Sequence, residues 1–138
     1  MIAYLALFAW SFLAATILPL ASEPMLVALV RSSDGIAGPV LVATAGNYLG
    51  ACTTYWLARA AARRVGPVAK AVASHARATR LLERLGQPAL LLSWVPIVGD
   101  AIVAVAGAVG IGFAPFSLWV IAGKLARYAV VGWLAAQV

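Results

Sequence analysis

Four stretches of this 138-residue chain carry no charged side chain: 1–22, 36–58, 85–99 and 101–123, the last continuing to Val138 past only Lys124 and Arg127. About 20 apolar residues at 1.5 Å rise are needed to cross a hydrocarbon core of about 30 Å. Several such stretches in so short a chain leave a multi-span integral membrane protein as the class that fits. Composition agrees, with 64% hydrophobic and 10% charged residues and a mean hydropathy of +1.00, too little polar surface to clothe a soluble domain. The first stretch lacks the basic start of a secretory leader and is followed by Glu23 and more apolar sequence. It therefore reads as part of the membrane domain rather than as a cleaved segment.

The net charge of +6 is unevenly placed. Arg59, Arg63, Arg64, Lys70, Arg77, Arg80 and Arg84 face only Glu83 within one central segment, whereas Arg31, Lys124 and Arg127 balance Glu23, Asp34 and Asp100 elsewhere. The surplus thus marks a connector, 59–87, and not a nucleic-acid surface. Positive charge in short loops sets orientation, which predicts a cytoplasmic connector and both termini on the outer face. Within it, Gly66-Pro67 opens a predicted helix to Leu85. Lys70, Arg77, Arg80 and Arg84 share one side of that helix and Val68, Val72, Thr79 and Leu82 the other, an amphipathic pattern suited to the headgroup plane. His75 falls at the boundary and reads as a helix-surface residue.

The flanking blocks, 1–58 and 88–138, resemble each other. When residue n is set against n+77, Pro19 meets Pro96, Glu23 meets Asp100, Gly35 meets Gly112, Ala45-Gly46 meets Ala122-Gly123, and Trp56-Leu57-Ala58 meets Trp133-Leu134-Ala135. Each block runs from an apolar helix (3–18; 89–95) through a Pro-containing break to an acid and a short apolar run (25–30; 102–109). A Gly-rich turn and a long apolar helix (40–58; 116–136) follow. The pieces beside the breaks are mostly too short to span and read as re-entrant hairpins, with Pro19, Pro96 and Gly99 at the breaks. Irregular backbone at membrane depth is tolerated where it is packed in protein or lines a wet cavity, and paired interruptions point to a transporter's binding site. A hairpin returns to its own side and the long helix crosses once, so the second repeat starts from the opposite face. The predicted fold is an all-α integral membrane domain of two inverted repeats, each a re-entrant helical hairpin plus a transmembrane helix, joined by a basic amphipathic cytoplasmic helix.

Charges in the apolar blocks are the functional candidates. A carboxylate at mid-bilayer costs about 2.5–3.5 kcal/mol on insertion scales and is usually turned to the bundle interior or a wet cavity. Burial disfavours the ionised form of a carboxylic acid, the property that a proton-coupling or gating group needs. Glu23 and Asp100 are the candidates for that role; the competing reading is that each caps a helix N-terminus, although Ser22 is also available as a cap beside Glu23. Lys124 and Arg127, three apart on one face of the last helix, are set too far from either end to snorkel easily. They suit a buried ion-pair set with the two acids, or an anion site. Their repeat-mates are Asn47 and Gly50. Gly46 and Gly50 form a GxxxG face for close helix packing, as does Gly123 in the second block. Tyr48, Tyr55, Trp56, Trp119 and Trp133 read as interface anchors or packing residues.

One Cys52 and one His75 exclude an internal disulfide, a Cys/His zinc site and a Cys/His protease. With no Ser/His/Asp set and no clustered metal ligands, no enzyme, cofactor or metal is expected.

The strings Gly46-Asn47-Tyr48-Leu49-Gly50, Tyr55-Trp56-Leu57-Ala58-Arg59, Leu91-Leu92-Ser93-Trp94-Val95-Pro96-Ile97-Val98-Gly99-Asp100 and Gly123-Lys124-Leu125-Ala126-Arg127-Tyr128, with Gly86 and Ala106-Gly107, resemble the YqaA-like branch of the DedA superfamily, also called SNARE-associated or VTT-domain proteins. The likeness runs from about Ser11 to Trp133. It implies a bacterial inner-membrane protein with two inverted re-entrant hairpins, in a superfamily associated with moving lipid carriers such as undecaprenyl phosphate, coupled to protons or sodium, or with scrambling phospholipids. Glu23 matches the family's hairpin acid. Those relatives carry Arg-Phe-x-Pro-x-x-Arg where this chain has Ser93 and Gly99 at the two Arg positions. Either the cation has moved to Lys124 and Arg127 or the substrate has changed.

The expected function is a transporter or flippase for an anionic, phosphate-bearing lipid, with Glu23 and Asp100 coupling or gating. Lys124 and Arg127 would attract the phosphate, and Asn47 and Ser93 would add neutral hydrogen bonds. A membrane lipid is the expected partner, nucleic acid is not, and a homodimer is compatible with the sequence. Two competing expectations are a proton-coupled exporter of small cations, which requires Glu23 not to be neutralised by Lys124 or Arg127, and a non-transporting assembly protein whose basic loop binds anionic lipid or a soluble partner.

Overall fold

The computed structural model describes residues 1–16, 21–64 and 76–138. The predicted break at Pro19 and the connector positions Gly66, Pro67, Lys70 and His75 lie outside them. The described residues are helical, with no strand: α1 (Ile2–Ala14), α2 (Glu23–Ser32), α3 (Ala37–Arg64), α4 (Ala76–Leu85), a 3-10 segment (Gln87–Trp94), α5 (Val98–Val109) and α6 (Phe113–Gln137). Among them α6 alone is both long and apolar enough to cross a membrane, with a mean hydropathy of 1.3 over its most apolar window. At 28 residues α3 is longer, but Thr44, Asn47, Tyr48, Thr53 and Thr54 interrupt its apolar character.

Helix ends follow local chemistry. The hydroxyl of Thr16 takes up the Phe12 and Leu13 carbonyls at 3.2 and 3.1 Å, closing α1 after 13 residues, about 20 Å of helix against a core of about 30 Å. Six residues past Ala58, α3 still continues, so Arg59, Arg63 and Arg64 belong to it and not to a loop. The Ala and Arg residues there are good helix formers, and cations suit a helix C-terminus. In α4, Arg77, Arg80 and Arg84 are exposed while Ala78 is buried and Thr79 and Leu82 are half-buried.

The stretch expected as a helix over 89–95 is instead the 3-10 segment, starting after Gly86 at φ 64° with Pro88 at its head. Its rise of about 2.0 Å per residue carries eight residues over about 16 Å, further than an α-helix would. The chain then reverses at Pro96. The Val98 amide donates to the Pro96 carbonyl at 2.7 Å around Ile97 at φ 67°, ψ −57°, a γ-turn of the strained hand. α5 ends on Gly110 in the left-handed conformation, with the Ile111 amide returning to the Ala106 carbonyl at 3.0 Å, a Schellman-type stop that glycine permits.

The chain divides into two compact units, Met1–Gly50 with Lys124–Val138, and Ala51–Gly123. In the first, Leu7, Leu26, Leu29, Val40, Ala43 and Tyr128 form the core. Gly46 lies against the Phe8 carbonyl, and a Cβ on Gly50 would come within 2.7 Å of the Ala15 Cβ; small residues allow this approach, which packing in a membrane depends on. In the second, α4, the 3-10 segment and α5 pack on one another. Tyr55, fully buried, stacks on Phe116 with centroids 4.3 Å apart, Gly107 lies against the Tyr55 backbone, and Gly123 lies against the Leu91 carbonyl.

Candidate functional site

In the first unit, polar side chains gather from α1, α2, α3 and α6. Glu23 opens α2, and its Oε1 forms an ion pair with Arg127 Nη2, the two side chains being 24% and 21% exposed. One turn earlier on α6, Lys124 is 3% exposed and donates to Asn47 Oδ1. Asn47 is itself buried, and its amide nitrogen donates to the Ser11 carbonyl at 3.2 Å. The Ser22 hydroxyl lies 2.6 Å from Tyr128 Oη in the buried interior. Arg127 also lies over the Tyr128 ring, 5.9 Å from its centroid.

The geometry follows from helical spacing. Lys124, Arg127 and Tyr128 occupy i, i+3 and i+4 of one helix and so project on one side. Ser22 does not cap α2 with its side chain; its hydroxyl is turned to Tyr128. Glu23, in the first turn of α2, gains from the partial positive charge there as well as from Arg127. Burying a lysine is tolerated only where its protons are satisfied, and the Asn47 side-chain oxygen supplies one acceptor. Ser11 Oγ and Glu23 Oε2 are buried without a hydrogen-bond partner, a cost of about 1–3 kcal/mol for such groups.

The structure therefore brings together Glu23 with Arg127 and Asn47 with Lys124. Asp100 and Gly99 lie in the first turn of α5, Ser93 in the 3-10 segment and Pro96 between the two, all in the second unit. Ser93 is buried with its hydroxyl unpartnered. A Cβ at position 99 would come within 2.6 Å of the Ser93 carbonyl carbon, so no side chain fits there, which accounts physically for the absence of an arginine at position 99. Sequence reasoning did not anticipate the parts played by Ser11 and Tyr128. Their partners lie far away in the chain, and neither carries a charge that would have marked it. No three of His, Cys, Asp and Glu that could hold a metal ion converge among the described residues, and Glu23, Arg127, Lys124 and Asn47 supply charge-assisted hydrogen bonds.

A family profile for the VTT domain matches residues 18–136. The chain is 43% identical over 128 residues to inner membrane protein YqaA of Escherichia coli, covering 91% of this chain and 85% of that protein, and equally so to YqaA of Shigella flexneri. An uncharacterized protein of Haemophilus influenzae is 37% identical over 140 residues, covering 94% of this chain and 85% of its own length. No solved structure matches.

Proposed function

The chain belongs to the VTT-domain family and is a protein of the bacterial inner membrane, and from that premise we propose that it is a DedA-type transporter or flippase for an anionic, phosphate-bearing lipid, coupled to protons. The observation that carries this reading is the paired cluster of Glu23, Arg127, Lys124 and Asn47 within a chain so poor in charge. Two cations on one side of α6, Lys124 and Arg127, offer charged donors to an anionic ligand. Arg127 can exchange its carboxylate partner for a phosphate, since both are bound by the same guanidinium geometry, and Glu23 released in the exchange can then take up a proton. Asp100 would serve the corresponding hairpin of the second repeat.

The architecture proposed with it is the pair of inverted repeats, 1–58 and 88–138. Several observations support this. Asn47 and Lys124, which touch, are repeat-mates 77 positions apart, as residues beside a two-fold axis would be. Gly46 and Gly123, also repeat-mates, each lie against a carbonyl of the segment that opens their own repeat. Each compact unit combines one short-helix pair with the first part of its own long helix and the last part of the other. α1 and α5 are both too short to span, as hairpin arms are.

The contact between Glu23 and Arg127 runs against export of small cations, which needs an unpaired carboxylate. The test is reconstitution in proteoliposomes with fluorescent anionic and zwitterionic lipids and a lipophilic cation. The expected result is movement of the phosphate-bearing anionic lipid, reduced at least about tenfold in Arg127→Gln. Cation flux without lipid movement would overturn the proposal. A well-folded protein with no flux of any kind would favour the assembly reading.

A further inference from the structure

We infer that the cytoplasmic end of α3, in the other compact unit, carries a groove that holds the phosphate of an anionic phospholipid from the surrounding leaflet. The groove has a volume of about 280 Å³ and is lined by Trp56, Arg59, Ala60, Arg63 and Arg64. These residues recur at i, i+3/4 and i+7/8, so they form one stripe of the helix. Three guanidiniums, each able to meet phosphate oxygens with paired N–H groups, therefore converge on one recess.

Arg59 is held in place. Its Nη1 donates to Tyr55 Oη at 2.6 Å and to the Ile111 carbonyl at 3.3 Å, and Tyr55 Oη donates to the same carbonyl. The guanidinium carbon lies 5.8 and 5.7 Å from the Tyr55 and Trp56 ring centroids, within cation–π range. The carbonyl is presented because α5 stops at Gly110. Arg59 thus loses little freedom on meeting a ligand, and Arg63 and Arg64 are exposed on its flank.

The neighbourhood selects an amphiphile. Trp56 and Leu57 are 50% and 66% exposed, and Phe113, tilted against Trp56 with ring centroids 5.3 Å apart, is 38% exposed. The apolar wall is continuous with the charge-free stretch 36–58, and the basic wall begins at Arg59. An aromatic next to cations at the end of an apolar helix is the pattern of an interfacial anchor, and the positive-inside rule puts this end at the cytoplasmic leaflet. A soluble phosphate would use only the basic wall; a phospholipid uses both. The inference rests on membrane placement alone and is independent of the transport reading.

The test is native mass spectrometry of the full chain in detergent, titrated with dioctanoyl phosphatidylglycerol or dioctanoyl phosphatidylcholine. Wild type should retain the anionic lipid in preference. Arg63→Gln/Arg64→Gln, whose side chains are exposed and leave the fold intact, should bind it about thirtyfold more weakly, as expected for two lost interfacial cations. Trp56→Ala should weaken it as well, and inorganic phosphate should not compete. Equal retention of the two lipids, or unchanged binding in the double variant, overturns the inference. Competition by inorganic phosphate at the lipid's own concentration overturns the choice of a lipid as occupant.

Discussion

Lys124 on α6 donates a hydrogen bond to the side-chain oxygen of Asn47 on α3, joining two buried residues 77 positions apart in the chain. Asn47→Ala removes that acceptor from a buried ammonium and should lower stability by about 2–3 kcal/mol. Asn47→Asp keeps an acceptor for Lys124 and should cost less. Thermal unfolding of purified protein in detergent distinguishes the two, and an Asn47→Ala variant as stable as wild type would contradict the contact.

Ser22 and Tyr128 exchange a 2.6 Å hydrogen bond in the interior. Tyr128→Phe leaves the serine hydroxyl without the phenol and should cost about 1–2 kcal/mol. The double variant with Ser22→Ala should cost less than the sum of the two singles, with a coupling of about 1 kcal/mol. Strict additivity of the melting shifts would mean that the pair is not coupled.

Close packing predicts a contrast between glycines. Gly46→Ala drives a methyl group into the Phe8 carbonyl, whereas Gly35→Ala meets nothing within 4 Å. Overpacking of this kind costs about 1–3 kcal/mol, so Gly46→Ala should lower the melting temperature and the yield of folded protein while Gly35→Ala leaves both near wild type.

Ile97 is the one described non-glycine residue with positive φ, and β-branched residues resist that conformation. Because its side chain is 71% exposed, little packing is lost on truncation. Ile97→Gly should therefore stabilise the protein, by about 1 kcal/mol, read as a raised melting temperature. A lowered one would mean that the turn is held by contacts of the isoleucine side chain.

These features differ in how far the sequence discloses them. The membrane class is legible because uncharged runs have few alternatives, and the small-residue faces at Gly46, Gly50 and Gly123 are legible because close helix approach admits few residue types. The matching of Asn47 with Lys124 was visible as an offset, though their contact was not. Ser22 with Tyr128 was hidden, since 106 residues separate them and no periodicity links them. The 3-10 segment is hidden in the sequence because Leu90-Leu91-Leu92 suits an α-helix equally well. Arg59 was read as connector because charge usually ends a membrane helix, whereas Tyr55 and the Ile111 carbonyl hold it within α3.

The central claim is that the Glu23–Arg127 pair is the coupling element of lipid movement. Its most direct measurement is the rate of anionic-lipid translocation in proteoliposomes across a range of imposed pH gradients, for wild type and Glu23→Gln, with folding verified by thermal unfolding. The account predicts that the folded Glu23→Gln protein loses the response to the gradient and at least about tenfold of the rate, the scale on which one lost charge-assisted partner acts. Wild-type rate and wild-type gradient dependence in Glu23→Gln would contradict it.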